Sequence, residues 1–386
     1  MSDNTIMLTG GGTGGHVFPM IAVADELRRM APELRLIFVG TERGIERQVV
    51  PDKGYELELV KIEPLRGRGP IGALRGLKTA TASIPDGLEL LRKYQPSAVF
   101  SIGGYAAGSV SLGAKLMGIP LALMEPNSVI GLANKLLAPL VTRAYTSFRE
   151  AEKHFSAPKV LRTGLAIRRG FQPQPYTYDG ERLRVLVLGG SQGAVSINEV
   201  VPQALAQART PLSVVHQAGN GKDQAVRERY QRLDTSSESG AAAQVQIVPF
   251  IRDMAGALAE CDLVIGRSGA GAVSEICAVG RPGLYIPYPY ASGDHQYKNA
   301  QSLVNNGAGV CLTTAEATQD AIASVLDGLH NQPEQIRAMA RAATALGRPE
   351  AALTVANDLL RLGQIQPSEA EDNFVLSQDD TSSEVH

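Results

Sequence analysis

Short apolar, β-branched runs of about four to six residues alternate along this chain with longer stretches in which apolar positions recur at helical spacing, and several runs end in glycine. Strand-length segments that alternate with helix-length ones predict parallel βαβ units joined by right-handed crossovers. In the first half the strand candidates are residues 6–9, 34–39, 98–102, 121–124, 143–146 and 160–163. In the second they are 184–188, 213–217, 245–248, 263–265, 283–286 and 309–312. Six strands per half suit two doubly wound domains. Between the halves, residues 171–176 read Phe-Gln-Pro-Gln-Pro-Tyr, which extends neither a helix nor a central strand. The expected division is a first domain over 1–165, a linker over 166–180 and a second domain over 181–346. A C-terminal segment over 347–364, with a helix expected over 349–362, is compatible with packing back on the first domain, and 365–386 forms a tail.

Two strand candidates about 180 residues apart run straight into glycine, at Gly10-Gly11-Gly12-Thr13-Gly14-Gly15-His16 and at Gly189-Gly190-Ser191-Gln192-Gly193. A strand that breaks into glycine and opens a helix leaves backbone N–H groups at the positive end of the helix dipole, which is a seat for phosphate. Two such seats point to substrates rich in phosphate.

The 386-residue length gives each half room for its own core. Three cysteines, Cys261, Cys277 and Cys311, are odd in number and set in apolar runs, so neither a disulfide framework nor a zinc site is indicated, and a reducing cytoplasm is expected. There is no signal-peptide pattern and no run near 18 apolar residues, so no membrane span is expected. The net charge of −2 hides an acidic tail: residues 367–386 carry six acids and no Lys or Arg, which leaves the rest at +4. Residues 1–165 hold 20 Lys and Arg against 15 Asp and Glu, a lean toward anionic partners that falls short of a nucleic-acid-binding balance. The tail reads as disordered.

Gly10-x-Gly12-x-x-Gly15 matches the dinucleotide fingerprint, which brings a nicotinamide- or flavin-dependent oxidoreductase into consideration. The acid expected about 20 residues on would have to be Glu42, 27 residues after Gly15, and the second glycine turn stays unexplained. His16 has two readings: a cap on the helix start, or a ring kept neutral by the helix dipole and so a proton acceptor. Gly103-Gly104-Tyr105 follows another strand, as close helix packing or as a ligand seat. Glu275 is placed in the first helical turn after Arg267-Ser268-Gly269, as favourable N-terminal charge or as a carboxylate that accepts both ribose hydroxyls. Thr13, His16, Gly103, Gly104 and Asn127 all fall at carboxyl ends of predicted strands, where open α/β sheets collect ligands.

The motifs Gly11 to Pro19, Gly103-Gly104-Tyr105, Glu125-x-Asn127 with Asn134-Lys135-Leu136-Leu137, Gly189 to Ala194, Pro249-Phe250-Ile251, Arg267-Ser268-Gly269-Ala270, Ser274-Glu275-Ile276 and Asp294-His295-Gln296-x-x-Asn299-Ala300 together resemble the MurG family. That family is the bacterial peptidoglycan N-acetylglucosaminyltransferase, and the resemblance runs in order over about residues 5–360. It implies a GT-B fold, two Rossmann-like domains with parallel sheets facing across a cleft, that moves N-acetylglucosamine from UDP-N-acetylglucosamine to lipid I. By carry-over, Ser191 and its neighbouring amides hold the donor diphosphate, Ile251 meets uracil through its backbone and Glu275 takes the ribose. Ala270, Gly271, Ala272, Val273 and Ser274 line the same turn. Asn127, Gln296 and the Thr13-Gly14-Gly15 loop meet the sugar, and Arg168 matches an arginine near the hinge. Gly14, Gly15, Gly103, Gly104 and Tyr105 would take the acceptor diphosphate. The chain departs from the family pattern at Pro126, Leu165-Ala166 and Gly271-Ala272.

The implied reaction is an inverting displacement with His16 as base and no obligatory metal or other cofactor. Other readings within reach are a UDP-N-acetylglucosamine 2-epimerase, a glycolipid glucosyltransferase and a sugar-nucleotide sensor. A lipid-linked acceptor calls for contact with the anionic inner leaflet at the cytoplasmic face of the inner membrane. Residues 65–78 supply Arg66, Arg68, Arg75 and Lys78 beside Ile71, Leu74 and Leu77, either as an interfacial segment or as an ordinary surface loop. The family places the chain in peptidoglycan synthesis, a process tied to cell shape and cell division, with cell-wall synthesis complexes as the partners to expect.

Overall fold

In the computed structural model, residues 4–60, 84–104, 107–190, 193–234 and 244–368 are described. They fall into two compact units: Met1–Pro126, Ile130–Arg168 and Glu350–His386 form the first, and Asn127–Val129 with Arg169–Pro349 the second.

In the first unit, β1 (Thr5–Gly10), β2 (Arg35–Thr41), β3 (Glu56–Val60), β4 (Ala98–Gly103), β5 (Leu121–Glu125), β6 (Arg143–Thr146) and β7 (Val160–Leu161) form one sheet. Its order is β3-β2-β1-β4-β5-β6-β7, with every neighbouring pair parallel. The crossovers carry α1 (Gly14–Met30), α2 (Glu46–Asp52), α3 (Ile84–Tyr94), α4 (Ala107–Leu116), α5 (Leu132–Leu137) and α6 (Arg149–Glu152). β1, β4 and β5 are buried along their whole length, which is why they read as unbroken apolar runs.

Seven strands stand where the sequence indicates six. The extra one is β3, Glu-Leu-Glu-Leu-Val, whose alternating acids interrupt any apolar run. It lies at the sheet edge, where charge discourages further pairing. Glu56 pairs with Arg35 at 2.9 Å and Glu58 with Lys93 at 2.7 Å.

In the second unit, β8 (Leu183–Leu188), β9 (Leu212–Gln217), β10 (Gln244–Val248), β11 (Leu263–Gly266), β12 (Gly283–Tyr285) and β13 (Gly309–Cys311) pair in the order β10-β9-β8-β11-β12-β13, again all parallel. Its helices are α7 (Val195–Gln207), α8 (Asp223–Asp234), α9 (Met254–Glu260), α10 (Ala270–Val279), α11 (His295–Asn305), α12 (Gln319–His330) and α13 (Pro333–Leu346). Val185, Val187, Leu263 and Ile265 of the central strands pack with Ile197 and Val201 of α7. The chain then returns to the first unit as α14 (Ala351–Leu362), which buries Val355, Leu359 and Leu360 and packs on α1. There Asp358 accepts from Tyr145 Oη at 2.9 Å and pairs with Arg143 at 2.8 Å. In each sheet the order reverses beside the first strand of the unit, between β1 and β4 and between β8 and β11. Ligands of doubly wound folds collect at such switch points.

The Pro- and Gln-rich stretch after Arg168 is pinned to the second unit by Arg281, whose side chain is 2 % exposed. Its guanidinium donates to the carbonyls of Leu258, Ala259, Val279, Gln174 and Pro175. Each carbonyl deprived of a buried donor costs on the order of 1 kcal/mol or more. Arg281→Met is therefore expected to lower the unfolding free energy in urea by roughly 3 kcal/mol, and a loss below about 1 kcal/mol would contradict this role.

Candidate active site

The first unit's site begins where β1 runs out. Gly10, Gly11 and Gly12 have φ of +154°, +151° and +92°. Thr13 caps α1 by backbone only, with the N–H groups of His16 and Val17 donating to its carbonyl. The amides of Gly14 and Gly15 precede these first intrahelical donors and lie at the positive end of the helix. His16 is half-buried in the first turn. Its Nδ1 lies 3.1 Å from Gly11 O, and a carbonyl only accepts, so Nδ1 carries the proton and, in the neutral ring, Nε2 carries the lone pair. His16 thus reaches back to the loop and does not cap the helix amides.

The Gly103–Gly104 turn after β4 crosses directly over this loop. A Cβ on Gly104 would stand 2.8 Å from Gly11 O, and one on Gly103 2.5 Å from Asn134 Oδ1. Close approach therefore accounts for both glycines. Beneath them, Glu125 ends β5 fully buried and accepts from Gly131 N at 3.0 Å and Asn134 Nδ2 at 2.8 Å, which ties the strand to α5.

Glu46, the first residue of α2, does not stand out in the sequence. It is 1 % exposed and accepts from Gly12 N at 2.9 Å through Oε2, and from Thr41 N at 2.9 Å and Thr41 Oγ1 at 3.0 Å through Oε1. The only sequence signal is its setting among Gly40, Thr41 and Gly44, at the end of β2. Gly12 is the second glycine of the dinucleotide fingerprint, the position at which the backbone approaches a pyrophosphate. That amide is already taken by the Glu46 carboxylate and is not offered to a pyrophosphate, which weighs against the oxidoreductase reading.

In the second unit, Gly190 and Gly193 have φ of +75° and +70°, and α7 opens at Val195. A Cβ on Gly193 would meet Ala218 O at 2.2 Å. Lys222 Nζ donates to Gly193 O at 2.9 Å, so a cation backs this loop where a carboxylate backs the other. Buried His216 supports the same turn: Nε2 donates to Asn198 Oδ1 at 3.1 Å, Nδ1 accepts from Tyr230 Oη at 3.0 Å, and Asn198 Nδ2 donates to Ala218 O at 2.8 Å. Gln217 Oε1 accepts from Ile251 N at 3.0 Å, so a backbone contact between Ile251 and a base falls to the carbonyl.

After β11, Arg267 donates to Ile286 O, Pro287 O and Ser196 Oγ at 2.8, 2.9 and 2.8 Å, which draws three strand-end segments together. Gly269 is the N-cap of α10, so Ala270, Gly271, Ala272 and Val273 form its first turn. Glu275 stands in the second turn, not the first as the sequence suggests, because the helix is already under way at Ala270, five residues before it. The helix-dipole effect fades beyond the first turn, so favourable N-terminal charge loses force as an explanation of Glu275. Gln296, at the start of α11, accepts from Tyr288 N at 2.9 Å. Asn299 Nδ2 donates to Ser268 O and to Asn127 Oδ1, both at 3.2 Å. Arg168 is exposed at the end of the first unit's chain segment.

Ser191, Tyr105, Arg66, Arg68, Ile71, Leu74, Arg75, Leu77 and Lys78 lie outside the described residues, as does the tail beyond residue 368. Among the described residues, no group of three or more His, Cys, Asp or Glu is arranged to hold a metal ion. Among them also, no helix is long and apolar enough to cross a membrane.

Two family models match the chain, the glycosyltransferase family 28 N-terminal domain over residues 6–146 and the family 28 C-terminal domain over residues 184–355. The chain is 46% identical over 365 residues to a Sorangium cellulosum protein, with 93% of this chain and 89% of the relative covered. That relative is named UDP-N-acetylglucosamine--N-acetylmuramyl-(pentapeptide) pyrophosphoryl-undecaprenol N-acetylglucosamine transferase. The crystal structure of Acinetobacter baumannii MurG superposes with a TM-score of 0.78 at 29% identity, over 93% of this chain and 99% of that one. The Neisseria meningitidis UDP-GlcNAc 2-epimerase bound to UDP-GlcNAc, 15% identical with a TM-score of 0.62 over 93% of this chain and 99% of that one, shares the fold.

Burial pulls the pKa of His216 down from 6.5 to about 4. Between those values the unfolded chain binds a proton that the folded one refuses. The stability associated with the neutral ring is therefore complete above pH 6.5 and is lost as pH falls toward 4. The wild-type melting temperature should fall more steeply across that window than that of His216→Gln, and parallel slopes would contradict the assignment.

Proposed function

Because this chain belongs to the MurG family within glycosyltransferase family 28, we propose that it transfers N-acetylglucosamine from UDP-N-acetylglucosamine to the 4-hydroxyl of the N-acetylmuramyl sugar of lipid I, forming lipid II. The observation that carries the chemistry is the bond from His16 Nδ1 to Gly11 O, which leaves Nε2 as proton acceptor at the end of β1. The acceptor hydroxyl gives its proton to Nε2 as its oxygen attacks the anomeric carbon of the α-linked donor. The bond from that carbon to the phosphate oxygen breaks, UDP departs with the electron pair, and a β-1,4 linkage results. Amides at the start of α7, with Ser191 and Arg168, receive the charge that develops on the diphosphate. Lys222 behind the same loop favours that charge.

The donor's uracil donates N3–H to the carbonyl of Ile251, whose amide is held by Gln217. Glu275 accepts from the ribose, and Ala270 to Ser274 line that turn. Gln296, Asn127 and the loop from Thr13 to Gly15 meet the sugar. The acceptor diphosphate lies along Gly14, Gly15, Gly103, Gly104 and Tyr105. Residues 65–78 dock on the anionic inner leaflet at the cytoplasmic face, supported by four cations beside Ile71, Leu74 and Leu77. Cations near such a surface contribute roughly 1 kcal/mol each. Cell-wall synthesis complexes are the fitting protein partners.

With a short-chain lipid I analogue, the product should carry one added N-acetylhexosamine, β-linked at the 4-hydroxyl by NMR. His16→Ala should lower kcat by about 100-fold or more, since general-base catalysis is usually worth 10² to 10⁴. A loss under about tenfold would remove His16 from the role of base. Binding to anionic liposomes should fail when Arg66, Arg68, Arg75 and Lys78 are neutralised together, and binding that survives would contradict the docking segment.

A further inference from the structure

The N–H of Gly12 and the C=O of Gly11 belong to one peptide unit. A trans peptide is planar, so fixing the direction of its N–H fixes that of its C=O. On one side of this plane, Gly12 N donates to Glu46 Oε2 at 2.9 Å. On the other, Gly11 O accepts from His16 Nδ1 at 3.1 Å. Carboxylate, peptide and imidazole therefore form one chain of hydrogen bonds, in which each bond polarises the next.

The surroundings are built for the carboxylate. Cβ atoms on Gly11, Gly40 and Gly44 would stand 2.4, 2.4 and 1.9 Å from atoms of the Glu46 side chain, so three segments forgo side chains to admit it. The donors the structure gives it are the neutral Gly12 N, Thr41 N and Thr41 Oγ1. An apolar side chain of similar volume would fill the space but leave the Gly12 and Thr41 donors without their acceptor. A charge held by neutral donors keeps its field, and here that field acts on the peptide that orients His16.

We infer that Glu46 is a positioning residue for the transfer: acting through the Gly11–Gly12 peptide, it holds the His16 imidazole in the tautomer and orientation that leave Nε2 to the acceptor hydroxyl. This rests on His16 as the base. Glu46→Gln tests it, because the Gln oxygen cannot serve Thr41 and Gly12 together. With the oxygen toward the two Thr41 donors, the amide NH2 confronts Gly12 N–H and turns the peptide.

Measured on the full chain with UDP-N-acetylglucosamine and a short-chain lipid I analogue, Glu46→Gln should lower kcat about 10- to 100-fold, the range for residues that orient a reacting group. KM for UDP-N-acetylglucosamine should change much less than kcat, since the proposed uracil, ribose and donor-diphosphate contacts lie in the second unit. Side-chain ¹⁵N NMR of His16 should show one tautomer, with Nδ1 protonated, in the wild type and a mixture in the variant. In a His16→Ala background the same substitution should add almost nothing to the loss, because the two act as one unit. Unchanged kcat in Glu46→Gln, with His16→Ala still severely impaired, overturns this inference and leaves the base intact. Losses that add in the double variant also overturn it. A nearly active His16→Ala removes the base reading itself. If Glu46→Gln gives no cooperative melt, Thr41→Val, which deletes one donor to the carboxylate, takes its place. The same split at smaller amplitude supports the inference, and an unchanged kcat contradicts it.

Discussion

Parallel pairing is the constraint from which the rest of each unit follows. Parallel strands need long crossovers, which cover both sheet faces with helices and bring every strand-to-helix turn to one end of the sheet. The chain therefore has a row of loops at that end and a gap in the row wherever the strand order reverses. The Gly10–Gly15 and Gly103–Gly104 turns flank the reversal in one unit, and the turns after Leu188 and Gly266 flank it in the other. Glycine recurs there because the turns cross within a Cβ's radius of one another, as Gly104 does over Gly11 O.

The two units use the same turn with opposite electrostatics. In the first, a buried carboxylate takes the Gly12 amide and the imidazole of His16 is anchored through the same peptide. That arrangement raises the negative potential beside the His16 ring, the proposed proton acceptor. In the second, Lys222 and the neutral His216–Asn198 pair support the loop, so a cation and amides stand at the turn where the proposed reaction releases its diphosphate. One supersecondary element thus takes opposite electrostatic support from the side chain behind it.

The sequence carried most of the fold. Buried strands of a parallel sheet are apolar on both faces, so most strands among the described residues read as runs, and every described strand of the second unit begins and ends within one residue of its reading. β3 escaped because an edge strand alternates and bears acids. Of the site, the glycine turns and His16 were legible because they follow apolar runs directly. Glu46 was not, since its meaning comes from Gly12, 34 residues away in the chain. The turn that holds Glu275 is not legible, because the small residues Gly269 to Ala272 carry no pattern that marks where the helix begins, and it begins early, at Ala270. Gln217 and Lys222 act through main-chain atoms of distant turns, a contact that leaves no local pattern.

In the proposed transfer the diphosphate leaves only when a deprotonating hydroxyl attacks. The rate of UDP release from UDP-N-acetylglucosamine, with and without a short-chain lipid I analogue and with UDP-glucose as a parallel donor, tests it most directly. Release should depend on the acceptor and be selective for the N-acetyl donor. Release that ignores the acceptor, or donor binding that never yields UDP, would contradict it.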